Sequence, residues 1–238
     1  DEKNKFSSKN SPPKIYYHMV NTTQDQDVLV FENTTDSLAS PYIGVTDDEN
    51  FLVLYQSKGT HGNTLSIKPV DEKQFTLIND NFDTDVSVVH NIGKKFFIIT
   101  NENASNKKIV LVDIDRPAIR NWKTIVPESE HVIQHASFVG NSIVVKYLVD
   151  VAADIQIYNY EGDRVDRIKL PGVGSAWGFT GDADHMETFY SYSSYNMPST
   201  IYRYDFNINK SFIYKKSNIK FDSSKYITKR EFCRSKDG

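Results

Sequence analysis

Cysteine is almost missing: Cys233 is the single one in 238 residues. An internal disulfide is therefore excluded, and a lone thiol leaves the compartment open between cytoplasm and periplasm. No run of about 18 apolar residues occurs, so no helix of membrane-spanning character is written into the chain. Charge is never concentrated either. The 28 Lys and Arg against 31 Asp and Glu give a net −3 with no basic block, so neither a nucleic acid nor a membrane surface is indicated as a partner. The chain opens at Asp1 without an apolar leader, which places any targeting segment upstream of it or already removed. Apolar residues at helical spacing are missing from the central stretch Asp85–Val126, and Met is scarce at 3, whereas Tyr and Phe number 14 each. Aromatic and β-branched residues suit strands.

What is present is a repeated four-strand sentence. Asp85-Val-Ser-Val-Val-His90, a turn at Asn91-Ile-Gly93, Lys94–Thr100, Lys108–Ile114 and Trp122–Val126 make one complete copy, closed by Pro127. Tyr42–Thr46, Asn50–Tyr55, Thr64–Lys68 and Phe75–Ile78 make an earlier one. A third runs Val132–Val139, Ser142–Val149, Ile155–Tyr158 and Arg164–Leu170. The last runs Val173–Thr180, Thr188–Ser193, Thr200–Tyr204 and Lys210–Tyr214. The period is roughly 40–45 residues, the length of a propeller blade. Ahead of these, a polar lead-in over Asp1–Lys14 precedes a strand pair, Ile15–Val20 and Val28–Phe31, joined by the turn Asn21–Asp27. Two strands are half a blade and are marginal alone in water, so their companions are expected before Asp1. The fold class expected is all-β: a partial β-propeller of about four and a half four-stranded antiparallel blades, without the Trp-Asp dipeptides of the commonest propeller class.

Tyr17-His18, Thr22, Gln24, Asp27 and Leu29-Val-Phe-Glu32 resemble a hairpin in the propeller of the prolyl oligopeptidases. Asn21 stands where that family commonly has Gly and Thr23 where it has Pro; Asn accepts positive φ, so the turn can be the same. The resemblance continues through Asp80-Asn-Phe82 with Asp85, Trp122–Val126-Pro-Glu128, and Pro198 with Ile201-Tyr-Arg-Tyr-Asp205. It ends at Glu231-Phe-Cys-Arg-Ser-Lys-Asp-Gly238, similar to the strand leading into the peptidase domain, with Cys233 and Arg234 replacing Tyr and Pro. It implies a seven-bladed propeller of which residues 1–230 are a part, with 231–238 as a connecting strand to an α/β-hydrolase domain carrying the Ser, Asp and His of the triad.

Within the chain itself no catalytic, cofactor-binding or metal residue is assigned, and no substrate-binding residue is singled out. A hydrolase of this class needs Gly-x-Ser-x-Gly at a tight turn. Gly140-Asn-Ser-Ile-Val and Gly172-Val-Gly-Ser-Ala approach it but lack the second glycine or misplace the serine, and read as turns beside strands. His131 and His135 are four apart, yet on a strand that separates them by roughly 13 Å, too far for one ion. His18, His61, His90 and His185 are scattered among turns and strands, His18 with a structural hydrogen bond expected. Asp47-Asp48, Asp83/Asp85 and Asp113/Asp115 lack the spacing of a calcium loop and read as solvated turns. Sequons at Asn21, Asn33, Asn103 and Asn209 are expected by chance in so Asn- and Ser-rich a chain. Trp177, on an innermost strand, is expected to pack between blades, with a channel-facing position as the other option. Asn63–Lys68 falls near a distal substrate subsite of the family, but Thr64 and Lys68 are not the residues seen there in animal members, so that role is not carried over.

The resemblance thus implies a noncatalytic propeller portion of a serine-type prolyl endopeptidase. It would gate short proline-containing peptides toward a C-terminal catalytic domain of the same polypeptide, with no cofactor. The competing expectation is a stand-alone propeller that binds a partner through its top loops.

Overall fold

The computed structural model describes residues 13–34, 36 and 38–237. The polar lead-in therefore falls outside the described residues except for Pro13 and Lys14, as do Thr35 of the second sequon and Gly238 of the exit motif. Among the described residues, apart from three short 3-10 turns, every regular element is a strand.

Strands β1 (Lys14–Tyr17) and β2 (Val28–Glu32) form a two-stranded sheet. Asn21 in their connection has φ 72°, the left-handed conformation for which Asn substitutes for Gly. Four four-stranded antiparallel sheets follow, each with strands adjacent in chain order. The first holds β3 (Ser40–Val45), β4 (Phe51–Ser57), β5 (Thr64–Pro69) and β6 (Thr76–Asn79). The second holds β7 (Val86–Ile92), β8 (Lys95–Thr100), β9 (Lys108–Asp113) and β10 (Lys123–Val126). The third holds β11 (Val132–Val139), β12 (Ser142–Val149), β13 (Ala152–Tyr158) and β14 (Arg164–Ile168). The fourth holds β15 (Ser175–Thr180), β16 (Glu187–Ser194), β17 (Met197–Asp205) and β18 (Lys210–Lys215). This is the all-β blade architecture of a propeller.

Several boundaries move from their expected places. β7 runs on through Ile92, because a two-residue turn at Gly93-Lys94, with Gly93 at φ 54°, already reverses the chain. β13 starts at Ala152 rather than Ile155, because Asp150 and Val151 turn at φ 45° and 62°. That conformation is strained for a β-branched residue, so Asp-Val gives no hairpin signal in sequence. Glu231–Asp237, expected as a connecting segment, is extended chain and turn that pairs with none of the described strands.

Contacts divide the chain into two compact units, Asp1–Asn103 with Val110–Lys123, and Ala104–Ile109 with Thr124–Gly238. The first unit has an aliphatic and phenylalanine core: Phe51, Val53, Leu65, Ile67, Val86, Phe96, Ile98, Val110 and Val112 are all buried. Its adjacent sheets are tied by polar bridges as well. Asn63 bonds both backbone groups of Val86, the Gly62 amide donates to Asp85, and the Val88 amide donates to the Tyr55 hydroxyl at 2.9 Å. Gly62 sits at φ 74° with the Phe82 carbonyl where a Cβ would go, so no other residue fits.

In the second unit the core is rich in tyrosine. Tyr190, Tyr192, Tyr202 and Tyr204 join Val144, Ile155, Ile157 and Phe179. Rings of Phe179 and Tyr190 stack at 4.7 Å, and those of Tyr190 and Tyr202 at 5.2 Å. Ser137 donates to the Phe179 carbonyl at 2.5 Å, joining β11 to β15.

Candidate functional site

The two near-misses for a nucleophile elbow resolve as turns. Gly140 (φ 64°) and Asn141 (φ 51°) form the two-residue reversal between β11 and β12, and a Cβ on Gly140 would strike the Phe206 ring. Ser142 turns its hydroxyl back to the Gly140 carbonyl, whereas Gly172 and Gly174 merely lead into β15.

The histidines are dispersed. His18 Nδ1 meets Asp27 Oδ1 at 2.6 Å across the β1–β2 connection, the structural bond its position suggested. His185 lies 3.3 Å from Asp182, His131 lies 3.6 Å from Glu130, and His90 lies 3.9 Å from Asp47. His61 meets the Thr60 hydroxyl at 3.3 Å. Among the described residues no three His, Cys, Asp or Glu side chains converge as a metal set.

The acidic pairs serve turns in the first unit. Asp48 accepts from Thr46, Asn50 and Asn91. Burial opposes its charge, but these hydrogen bonds outweigh it and hold the carboxyl down to about 2. Asp85 accepts from the Gly62 amide, and Asp115 pairs with Lys94 at 3.0 Å. Thr64 and Lys68 of the segment 63–68 are both buried. The Lys68 ammonium donates to the Glu72 carbonyl at 2.6 Å.

Two features of the second unit are open to ligand or partner. One is on the inner strands. Trp177 does not pack between blades as expected: it is 58% exposed on β15. The reason is local. Gly178 (φ 115°) and Phe179 (φ 65°) bulge the strand, so Ala176 and Phe179 enter the core while the Trp177 indole is turned out. Lys146 of β12 rests its ammonium on that indole, 2.9 Å from the ring centroid. His135 of β11 is the cross-strand partner of Lys146. Burial and the Lys146 charge both push the His135 imidazole below its ordinary value. Burial also pulls the Lys146 ammonium down to about 8. Lys146 is the one charged residue inside Ile143-Val-Val-Lys-Tyr-Leu148, a strand otherwise apolar on both faces, which is the signal for it in the sequence.

The other feature is a cleft of about 580 Å³ beside the C-terminal segment, lined by Val151, Gly174, Ser193, Tyr195, Thr228 and Arg230 among others. Arg230 clasps the strained β12–β13 turn. Its guanidinium donates to the carbonyls of Val149 (3.1 Å) and Asp150 (3.0 Å) and pairs with the Asp150 carboxylate at 3.0 Å. Asn196 adds bonds to the Tyr226 carbonyl and the Thr228 hydroxyl. The segment 226–230 is thereby fixed across the ends of these blades, with Tyr195 fully exposed beside it.

The family model for the prolyl oligopeptidase N-terminal β-propeller domain matches residues 1–217. The prolyl endopeptidase of Elizabethkingia meningoseptica is 33% identical over 228 residues, 94% of this chain and 32% of that protein. Prolyl oligopeptidase A of Galerina marginata is 26% identical over 200 residues, 81% of this chain and 27% of that protein. A solved structure from work on two prolyl endopeptidases, concerned with inter-domain dynamics in catalysis and specificity, superposes with a TM-score of 0.88. It is 29% identical, over 94% of this chain and 33% of its own. Prolyl oligopeptidase B of Galerina marginata, bound to a 25mer macrocyclization substrate, superposes at 0.86 over 98% of this chain and 34% of its own. At 24% identity that likeness speaks for the fold. The chain spans about a third of the length of the curated relatives it matches.

Proposed function

Since the chain belongs to the prolyl oligopeptidase N-terminal β-propeller family, we propose that it is the noncatalytic, access-controlling part of a serine endopeptidase acting on short proline-containing peptides. The observation carrying this reading is one of length. Relatives that match this chain over nearly all of it are named prolyl endopeptidases and are about three times as long.

In this reading residues 1–230 are propeller, and 231–238 connect to an α/β-hydrolase domain of the same polypeptide that supplies the serine nucleophile. The Arg230 clasp sets the point from which that connection departs. The chemistry is acyl transfer to serine, and the propeller contributes selection. A route bounded by rigid, hydrogen-bonded blades admits an extended peptide and refuses a folded domain, and it keeps the bound peptide away from bulk water.

The test uses the whole polypeptide that contains this chain. It should cleave an unstructured peptide after proline and leave the same sequence intact inside a folded domain. Equal cleavage of the two overturns the gating role. Reading the coding sequence past Gly238 separates this from a stand-alone binding propeller: Gly-x-Ser-x-Gly supports the peptidase, and an immediate stop favours the binding module.

A further inference from the structure

Side chains alternate along β3, so Tyr42, Gly44 and Thr46 share one face with their β4 partners Tyr55, Val53 and Phe51. That face packs on the neighbouring sheet, for Phe51 and Val53 are buried in one core with Val86 and Phe96. Gly44 is out of keeping there. A glycine inside a strand costs stability, and it marks a special backbone conformation, a bulge, or a place that a ligand approaches closely. Gly44 is not among the residues at positive φ, and the β3–β4 ladder runs through it without a register shift, so neither of the first two accounts for it. A Cβ at this position would meet no heavy atom within 4 Å. The glycine instead opens a groove of about 330 Å³ at the seam of β3 and β7. Tyr42, 67% exposed, and Tyr55 line it with rings 6.3 Å apart and 27° from parallel, and Val45, Val53 and Val89 add apolar surface.

The polar groups bordering the groove narrow what it takes. The Val88 amide donates to the Tyr55 hydroxyl at 2.9 Å, the Asn91 side-chain amide to the Asp48 carboxylate at 2.8 Å, and the Thr46 hydroxyl to the same carboxylate at 2.6 Å. Asp47 keeps its carboxylate in solvent, 84% exposed. A residue that brings its own N–H into this seam exchanges water for none of these engaged groups, whereas a prolyl residue has no N–H to satisfy. Its compact ring also packs on aromatic faces, as in the aromatic-lined grooves that receive proline-rich peptides. We propose that the groove over Gly44 is a noncatalytic binding site for a prolyl residue of an extended peptide, with the ring seated against Tyr42 and Tyr55. The peptide class rests on the function proposed above, whereas the groove and its preference for a residue without an N–H rest on the β3–β7 seam alone.

The test uses the whole polypeptide after treatment with a serine-directed reagent, so that peptide is bound and not cleaved. Calorimetric titration compares acetyl-Gly-Pro-Pro-Gly-amide with acetyl-Gly-Ala-Ala-Gly-amide. The proline peptide is expected to bind more tightly by roughly fivefold or more, the size of one good contact with an aromatic ring. Gly44→Leu places a side chain in the open space of the groove and should remove that preference with the melting temperature undiminished. Tyr42→Ala should remove it as well, and Tyr42→Phe should keep it. Should Gly44→Leu lower the melting temperature, Tyr42→Ala decides the matter, since that side chain is exposed and its loss leaves the core intact. Equal binding of the two peptides, or a preference that survives the deciding variant, overturns the site. Loss in Tyr42→Phe as well would place recognition on the hydroxyl and overturn the assignment to a proline ring. The readout is binding without turnover, so a failed gating test leaves its outcome distinct.

Discussion

The two units reach the same four-stranded sheets with different core chemistry. In the first, Phe96 packs edge-on to Phe51 at 5.1 Å among Val, Ile and Leu, and the buried core cluster there contains no polar atom beyond its backbone. In the second, the tyrosine stack carries hydroxyls that must each find a partner when buried. Tyr190 donates to Ser211 and Tyr204 donates to Asp166, while the Tyr147 and Tyr158 hydroxyls share a bond at 2.9 Å. Aliphatic packing is indifferent to which blade neighbours which, beyond shape. A tyrosine whose hydroxyl must reach Asp166 on β14 from β17 accepts one neighbour in one register. The second unit thus gains specificity at the expense of sensitivity to protonation.

The largest effect that would break or sharpen this contrast is collective. Burial raises the phenols of Tyr147, Tyr160, Tyr190, Tyr192, Tyr202 and Tyr204 above their ordinary value in the second unit, against Tyr55 in the first. In the unfolded chain these phenols release protons near pH 10, roughly. Above that pH the folded state holds more protons than the unfolded one, so their contribution is complete below about pH 10 and is lost as pH rises toward the folded values. Hydrogen exchange across alkaline pH should show β15–β18 losing protection before β3–β8. Loss in parallel would erase the distinction.

A single change comes next. Phe96→Ala should cost about 3–5 kcal/mol by denaturant titration, since Phe96 is fully buried and its removal leaves a cavity among its neighbours. A cost below about 1 kcal/mol would mean the first core is loosely packed. Smaller again is Tyr204→Phe, at about 1 kcal/mol, because it removes the hydroxyl's bond to the half-buried Asp166 carboxylate without removing apolar volume. No measurable change there would show the hydroxyl bonds to be incidental.

Comparable in size is Asp48→Asn, at about 1 kcal/mol, confined to the first unit. Its carboxyl is depressed in the fold, so the stabilisation is present above about pH 4 and lost as pH falls toward 2. The variant should flatten the acid limb of the stability profile in that window, and an unchanged limb would remove Asp48 from the account.

How much of this was legible follows the same divide. Strands of alternating β-branched and aromatic residues announced themselves, and β11 and β12 begin and end at the expected residues. The misplaced edges are those set by tertiary contact. Val151 turns at positive φ beneath the Arg230 clasp, some 80 residues away in the chain, which no local pattern encodes. Met197 and Pro198 enter β17 only because the ladder to β16 is irregular there, where proline's missing N–H does no harm. Trp177 was expected inside because a tryptophan on an inner strand usually is. The bulge at Gly178 that turns it out needs a φ that only coordinates reveal. Lys146 could have been flagged from its apolar neighbours alone, but its meeting with Trp177 joins two different sheets and lies beyond any sequence spacing.

The central claim is that selection resides in this chain and catalysis elsewhere in the same polypeptide. The most direct measurement is turnover of a Gly-Pro chromogenic substrate, taken in parallel for the 238-residue chain alone and for the whole polypeptide. The account predicts no hydrolysis above buffer for the first and turnover abolished by a serine-directed reagent for the second. Sustained hydrolysis by the chain alone would contradict it.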